Sequence, residues 1–408
     1  MSHENQKTQT VFIDLTNETY LIHQIKTKQM YDVIIVGAGP AGSSTAYNCA
    51  KRGLKTILID KRIKPGTPKQ CAEGISKEIL EELGIEVKPE WISNEIDSAV
   101  LSDGKNYIQT TSEDNEGYIL DRKTFDYALV ERAKKAGTKL LLGAAVTDIS
   151  KDGVKLSNKK EIAGKIIIGA DGPLSVIGKK SGLGNPKCGQ GMQYEIKTQK
   201  NDFLTSIQAY VDPNLENNGW AWVFPKKDSL NVGIGSYDIK PLKKSLDKFV
   251  KILGLEKEKI IETNAGLIPL QGPLKEIQKD NILLVGDAAG HTNPLSGGGI
   301  PAAIFDGILV AEVIEKHLKK NYNLKNYSKL WKKSNYGKAM RISLKVQKAY
   351  LELLQKGSLN KHLKNVGIAK LDSTQAFLNL AFRSAKMIKH VRKFILFYRF
   401  YKYYKYAW

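Results

Sequence analysis

Two glycine-rich stretches and one cysteine-bearing turn contain the residues of this chain best suited to chemistry. Gly37, Gly39 and Gly42, with Ala41 between the last two, form a G-x-G-x-x-G in "YDVIIVGAGPAGSS". At that spacing the first glycine permits a tight turn and the second lets the backbone approach a pyrophosphate. The third allows a helix to pack close to its strand, with the helix amino terminus facing the phosphates. Asp60 closes the next apolar run, "KTILIDK", where an acid can accept bonds from a ribose hydroxyl pair. Far downstream, "ILLVGDAAGHTNPLSGGGIPAA" brings Asp287, Gly299 and Ile300 to a second strand-to-helix turn. Two such turns suit a flavin dinucleotide better than a nicotinamide one. Asp287 is placed to bond the ribityl chain, and the N–H groups of Gly299 and Ile300 to face the flavin pyrimidine oxygen and stabilise a reduced, anionic ring. Between the turns lies "PGTPKQCAEGIS", with Cys71 and Glu73 among turn-forming residues. A thiol there is either a proton source in a cavity or a small buried hydrophobe.

These residues need a scaffold. "YDVIIVG" is an apolar run of the kind buried on both faces of a parallel sheet. A helix over residues 40 to 52 and the strand "KTILIDK" complete a βαβ unit. "YILDRKTFDYALVERAKKAG" reads as a strand end entering a helix, and "TKLLLGAAVTDIS", "KIIIGADGP" and "DNILLVGDAAG" add strands. Residues 190 to 240 turn to alternating aromatic strands, and everything after about residue 300 reads as helix. The expected fold is therefore α/β with two domains: a Rossmann-like unit (30–185 and 271–320) carrying an inserted antiparallel-sheet domain (186–270). A helical region over 321–408 follows. Residues 1–29, polar and ending just before Met30, mark a dispensable extension or an upstream start codon.

Composition narrows the class. The 408 residues and 42% hydrophobic content suit a large folded core. Cys49, Cys71 and Cys188 offer neither a disulfide framework nor paired metal-ligand spacing, so no metal is expected and a reducing cytoplasm is. No apolar run is long enough to span a bilayer, and the amino terminus has no secretory core. The net charge of +21 calls for an anionic partner or a solubility role, and no nucleic-acid-binding motif accompanies it. No Asp or Glu follows Asp372. On a helix, Phe394, Phe397, Tyr401, Tyr404 and Trp408 share one stripe beside basic residues, which suits an anionic membrane surface. A domain-packing helix, an oligomer contact and a frayed tail are the other readings. The expectation is a cytoplasmic protein, peripheral at the membrane.

Across residues 30 to 320, "YDVIIVGAGPAGSS", "LDRKTFD", "GADG" and "VGDAAGHTNPLSGGG" resemble the FAD-containing geranylgeranyl reductases, within the p-hydroxybenzoate-hydroxylase-like flavoproteins. The resemblance implies FAD, contacted by Arg122 and by the backbone of Val146. Arg122 pairing with Asp126, and Val146 as plain core, are the other readings of those residues. "QCAEGIS" resembles the C-G-E-G-(L/I/V)-S segment of the archaeal lipid-type members, with Ala72 where glycine is common. That similarity implies Cys71, Ala72 and Gly74 along the flavin ring, with Cys71 as the catalytic candidate and Glu73 and His291 behind it. "GWAWVFPKKDSLNVGIG" is similar to the family's Tyr-x-Trp-x-Phe-Pro…Gly-x-Gly block, with Trp220 in place of tyrosine. Trp220, Trp222 and Phe224 alternate, so on a strand they form one aromatic wall, and Gly233 and Gly235 opposite leave room for a long, thin ligand. The activity implied is reduction of isolated double bonds in geranylgeranyl chains of an archaeal ether phospholipid. Such an alkene needs a proton source beside the flavin. With no second dinucleotide fingerprint in the sequence, the expected electron donor is a low-potential, ferredoxin-like partner. An aromatic hydroxylase on the same fold, or a membrane-attached flavin- or lipid-binding module without catalysis, are the rival readings.

Overall fold

The structure is a computed structural model that describes residues 29–111, 116–198, 204–358, 360–361, 364, 368–371 and 403–406. Residues 1–28 of the extension, Phe394, Phe397, Tyr401, Trp408 and the Tyr404 side chain lie outside the described residues.

A sheet of eight strands forms the nucleotide-binding unit, with Met30–Val36 at its centre. Thr56–Asp60 and Glu161–Gly169 pair with it in parallel, and Lys139–Leu142 and Ile282–Leu284 extend the parallel set on either side. Val33, Ile34, Ile35, Ile57, Leu58 and Ile59 are fully buried, as continuous β-branched runs covered on both faces must be. The helices Pro40–Lys51 and Ile300–Lys320 cross at very short range. A Cβ on Gly307 would lie 2.4 Å from the Thr45 nitrogen, and Ser44 Oγ donates to the Ile304 carbonyl at 2.7 Å. Glycine at position 307 thus brings together two helices that start from widely separated parts of the sequence.

The second sheet also has eight strands, mostly antiparallel, and it is drawn from more of the chain than residues 186–270. Ser98–Ser102 pairs in parallel with Ser206–Tyr210, Tyr107–Thr111 continues the sheet, and Ile368–Leu371 closes it. Ser98–Ser102 and Tyr107–Thr111 fall within the span expected for the nucleotide-binding unit, and Ile368–Leu371 within the span expected to be helix. Short strands with mixed polarity carry a weak periodic signal, and their partners are distant in sequence. Within this sheet the strand Gly219–Pro225 turns Ala221 and Val223 to a core shared with Leu246, Phe249 and Val250 of the helix Lys243–Ile252. Successive side chains alternate across a sheet, so Trp220, Trp222 and Phe224 occupy its other face. A small three-stranded sheet of Gly74–Ser76, Gly117–Leu120 and Ile92–Ile96 lies in the cysteine-bearing region.

Candidate active site

Each of the two glycine turns delivers a helix start without a side-chain cap, at Gly39 and at Gly299. Their N–H groups are therefore available to an anion. Gly37 takes φ +105° and has no room for a side chain, since a Cβ would lie 2.2 Å from the Ala170 carbonyl oxygen. A Cβ on Gly42 would meet the Gly37 oxygen at 1.8 Å, whereas one on Gly39 would meet nothing within 4 Å. The first and third glycines are thus required by the protein's own packing, and the second faces open space, as an approaching pyrophosphate requires. Gly286 packs against Ala41, where a Cβ would lie 2.7 Å from that of the alanine, so the second turn abuts the first. This double cradle fits FAD.

Asp60 closes its strand as expected, but both oxygens are engaged. Oδ2 accepts the Ala38 N–H at 2.6 Å and Arg62 Nη2 at 2.9 Å, and Oδ1 accepts Arg62 Nε at 3.0 Å. Burial pushes its pKa up, but Arg62 and the backbone donors outweigh this and hold it below the usual carboxylate value. Asp171 of "GADG" caps the helix Val176–Ser181, accepting the Val176 N–H at 2.7 Å. Val146 is buried in the main core at the start of the strand Val146–Ser150.

On the second turn, Asp287 Oδ1 accepts Thr292 Oγ1 at 2.5 Å, and burial raises its pKa against the pull of that bond and of Arg122. His291 is fully buried, stacked on Trp331 at 3.7 Å, with Nδ1 2.7 Å from Asp306 Oδ2. The same Oδ2 accepts the Gly286 N–H at 2.6 Å. His291 and Asp306 are therefore fasteners of the turn, and His291 drops out as a proton donor.

Cys71 is half-buried, and its Sγ accepts the Glu73 N–H at 3.2 Å. Arg122, first residue of the helix Arg122–Lys135, is bound bidentately by Asp126 at 2.7 and 2.8 Å. Burial disfavours the charge of Arg122, but Asp126 and the sulfur more than offset that. The (i, i+4) pairing and a place beside the site thus hold together.

Glu73 is not exposed to substrate. It is 1% exposed and adopts φ +78°, a conformation costing a non-glycine residue on the order of 1–2 kcal/mol. Its carboxylate accepts the Arg122 N–H at 3.0 Å, Lys69 Nζ at 3.1 Å, Lys226 Nζ at 2.9 Å and Asn231 Nδ2 at 2.9 Å. Glu195 joins the cluster through Lys69, through Ser229 at 2.9 Å and through Lys226 at 3.3 Å. Lys69 is pushed down by burial but raised further by Glu73 and Glu195, so it stays charged. The cluster clasps the cysteine segment to the large antiparallel sheet.

The aromatic row spans the distance between the two halves of the site. Phe224 lies over Gly74, where a Cβ would meet its ring at 2.7 Å, and Trp220 lies near Gly297, where a Cβ would meet its ring at 3.5 Å. Trp220 and Trp222 are 6.4 Å apart and tilted by 41°, so the wall is stepped rather than flat. The room expected beside Gly233 is filled: a Cβ there would lie 2.2 Å from the Trp222 indole, and one on Gly235 would lie 3.3 Å from both tryptophans. These glycines let the indoles lie against the neighbouring strand instead of leaving a channel between the strands.

Sequence reasoning missed Lys69, Lys226, Glu195 and Gln193. The first three read as ordinary charges, and their pairing appears only once distant strands meet. Gln193, in the strand Gly189–Lys197, stands opposite Gly233 and belongs to no motif.

The lycopene cyclase protein family matches residues 32–362. The digeranylgeranylglycerophospholipid reductase of Methanococcus vannielii is 33% identical over 395 residues, covering 90% of this chain and 99% of that protein. The enzyme of the same name from Methanocaldococcus jannaschii is 35% identical over 331 residues, covering 75% and 83% respectively. Among solved structures, a geranylgeranyl bacteriochlorophyll reductase-like protein from Thermoplasma acidophilum superposes with a TM-score of 0.78 at 30% identity, covering 90% of this chain and 98% of that one. A flavoprotein/dehydrogenase from Cytophaga hutchinsonii, 20% identical with a TM-score of 0.66 over 82% of this chain and 88% of its own, shares the fold.

Proposed function

Because the chain belongs to the lycopene cyclase protein family, with the digeranylgeranylglycerophospholipid reductases as its relatives, and is an FAD-dependent reductase, we propose that it hydrogenates isolated double bonds in the geranylgeranyl chains of an archaeal ether phospholipid, in membrane lipid biosynthesis. The observation that carries this reading is the position of the aromatic row. It runs from Gly297 on the second turn to Gly74 beside Cys71, so an apolar chain lying along it passes both.

Bound and reduced FAD supplies the hydride equivalent. Gly39 and the N–H groups of Gly299 and Ile300 hold the cofactor, and Asp287 lies among them. Gly37, Ala41 and Gly42 shape the first turn, Asp60 braces it through Ala38, and Val146 offers backbone at the adenine end. Cys71, with Ala72 and Gly74, lines the ring face and holds a proton at Sγ close to the alkene. Arg122 keeps positive charge beside that sulfur. Trp220, Trp222 and Phe224 bind the chain and exclude water, while Gly233 and Gly235 let the indoles lie flat.

Electrons arrive from a low-potential, ferredoxin-like donor, in keeping with a sequence that has one dinucleotide fingerprint. The lipid is met at an anionic membrane surface by the basic aromatic tail. Among the described residues no helix is long and apolar enough to cross a membrane.

The test is anaerobic. Enzyme reduced with dithionite, freed of excess reductant and mixed with a digeranylgeranylglycerol phospholipid should reoxidise as the lipid gains one H2 per reduced bond, read by absorbance and mass spectrometry. Reoxidation that requires oxygen, with a hydroxylated aromatic product, would overturn it.

A further inference from the structure

Resting on the reading above, the geometry points to Gln193 as a positioning residue that ties the aromatic row to the cysteine segment. Its side chain is 3% exposed and spans two parts of the site. Nε2 donates to the Cys71 carbonyl at 2.8 Å, and Oε1 accepts the Trp222 indole N–H at 3.2 Å. Each bond fixes the direction of the other, because a primary amide holds its donor and its acceptor at a fixed angle within one plane.

The backbone around it makes this arrangement specific. Gln193 pairs across the strands with Gly233, and so does Trp222 from the other side. Since a Cβ at Gly233 would lie 2.2 Å from the indole, the ring crosses the space of that missing side chain to reach the amide. Gln193 thus reads the position of Trp222 and transmits it to the residue whose thiol faces the chemistry. The ion cluster holds Cys71 through Glu73, on one side. Gln193 holds its carbonyl from the other, and only this second hold involves a wall residue. A chain pressing on Trp222 is therefore felt at Cys71 through one amide, which sets the thiol against the bound alkene.

The test uses the FAD-loaded full chain and the rate at which iodoacetamide alkylates Cys71, resolved by peptide mass spectrometry. Cys49, fully buried, serves as the internal reporter of unfolding. Gln193→Met keeps the volume and removes both bonds, while Trp222→Phe removes the indole donor along with one ring and leaves the bond to Cys71. Loss of one hydrogen bond at about 1 kcal/mol corresponds to roughly a fivefold change in rate. Each variant should alkylate Cys71 about fivefold faster with Cys49 still protected, and the double variant should add nothing further. In lipid turnover by Gln193→Met, kcat should fall by a similar factor with KM little changed. Unchanged Cys71 reactivity in Gln193→Met, or additive effects in the double variant, would overturn the proposal. If the wild type reduces no lipid, the functional reading fails, while the alkylation result still decides the role of Gln193.

Discussion

Replacing Glu73 with glutamine removes one charge from a buried, balanced set while leaving its shape intact. In the native cluster two ammonium groups, Lys69 and Lys226, face two carboxylates, Glu73 and Glu195; the lysine side chains are 2% and 11% exposed. Glu262 also approaches Lys69, but only at 3.8 Å and 25% exposed, so it screens weakly. In Glu73→Gln the amide oxygen can still accept the Arg122 N–H, so the lost terms are the bonds that Oε2 accepts, from the two ammonium groups and from Asn231 Nδ2. Charge-assisted hydrogen bonds are worth about 1.5–3 kcal/mol each, and breaking one partner of a buried pair costs about 3–5 kcal/mol. Partial solvation of Lys226 favours the lower end, about 3 kcal/mol. The cost comes from an uncompensated buried charge, so removing an ammonium as well should repair it. Glu73→Gln/Lys69→Met should recover at least half of the loss. Equilibrium urea unfolding followed by tryptophan fluorescence, at one saturating FAD concentration so that cofactor binding is held constant, measures both. A single variant within about 1 kcal/mol of wild type, or a double variant no better than the single, would refute charge balance as what holds this segment.

Five further outcomes are expected. Gly39→Ala should leave stability within about 0.5 kcal/mol but weaken FAD at least tenfold, about 1.4 kcal/mol, in a fluorescence titration; Gly42→Ala, whose Cβ would lie 1.8 Å from a carbonyl oxygen, should fail to accumulate as folded protein. Cys71→Ala should keep the bound-flavin spectrum and lose most alkene reduction, and undiminished turnover would remove Cys71 from the chemistry. Gly233→Ala should cost about 1–3 kcal/mol by displacing the Trp222 indole, seen as a lower unfolding midpoint. Burial raises Glu195, yet Lys69 and Lys226 hold its pKa below the ordinary value, so its stabilisation is present above the unfolded pKa of about 4.3 and is lost as pH falls through the folded one. Glu195→Gln should accordingly flatten the stability–pH slope between about pH 5 and pH 3, in urea midpoints.

What could be read from the sequence was whatever is written locally. The runs "YDVIIVG" and "KTILIDK" fold as buried parallel strands because their central residues, Val33 to Val36 and Ile57 to Ile59, are all apolar, and the glycine spacing fixes the first turn without help from elsewhere. The alternation of Trp220, Trp222 and Phe224 likewise placed three rings on one face. Meaning that depends on a partner far along the chain was not written locally. Gly233 and Gly235 looked like vacated space, and only the pairing of Trp222 with Gly233 shows that the space is filled. Glu73 looked like a possible acid beside a thiol, and its role changes once Lys226 and Asn231, more than a hundred residues away, are seen to hold it. The strand Ser98–Ser102 had too little periodicity to reveal that its partner is Ser206–Tyr210.

The same dependence explains why the cysteine segment is built from polar parts. Apolar packing fills space but tolerates sliding, and the turn from Pro68 to Gly74 has few large side chains with which to resist it. Directional bonds do resist it. Glu73 is fixed through four donors, three of them, on Arg122, Lys226 and Asn231, outside the turn, and its own N–H and carbonyl bond Cys71 Sγ and the Leu120 N–H. Cys71 is thereby bound at its sulfur through Glu73 and at its carbonyl through Gln193, which leaves the thiol little freedom to rotate or withdraw. The strand carrying the aromatic row rises about 3.4 Å per residue, so from Trp220 to Phe224 it covers about 14 Å. Under the proposed function, a long apolar chain would slide along a wall of that length, and a thiol with a fixed position would let the site act on one double bond at a time.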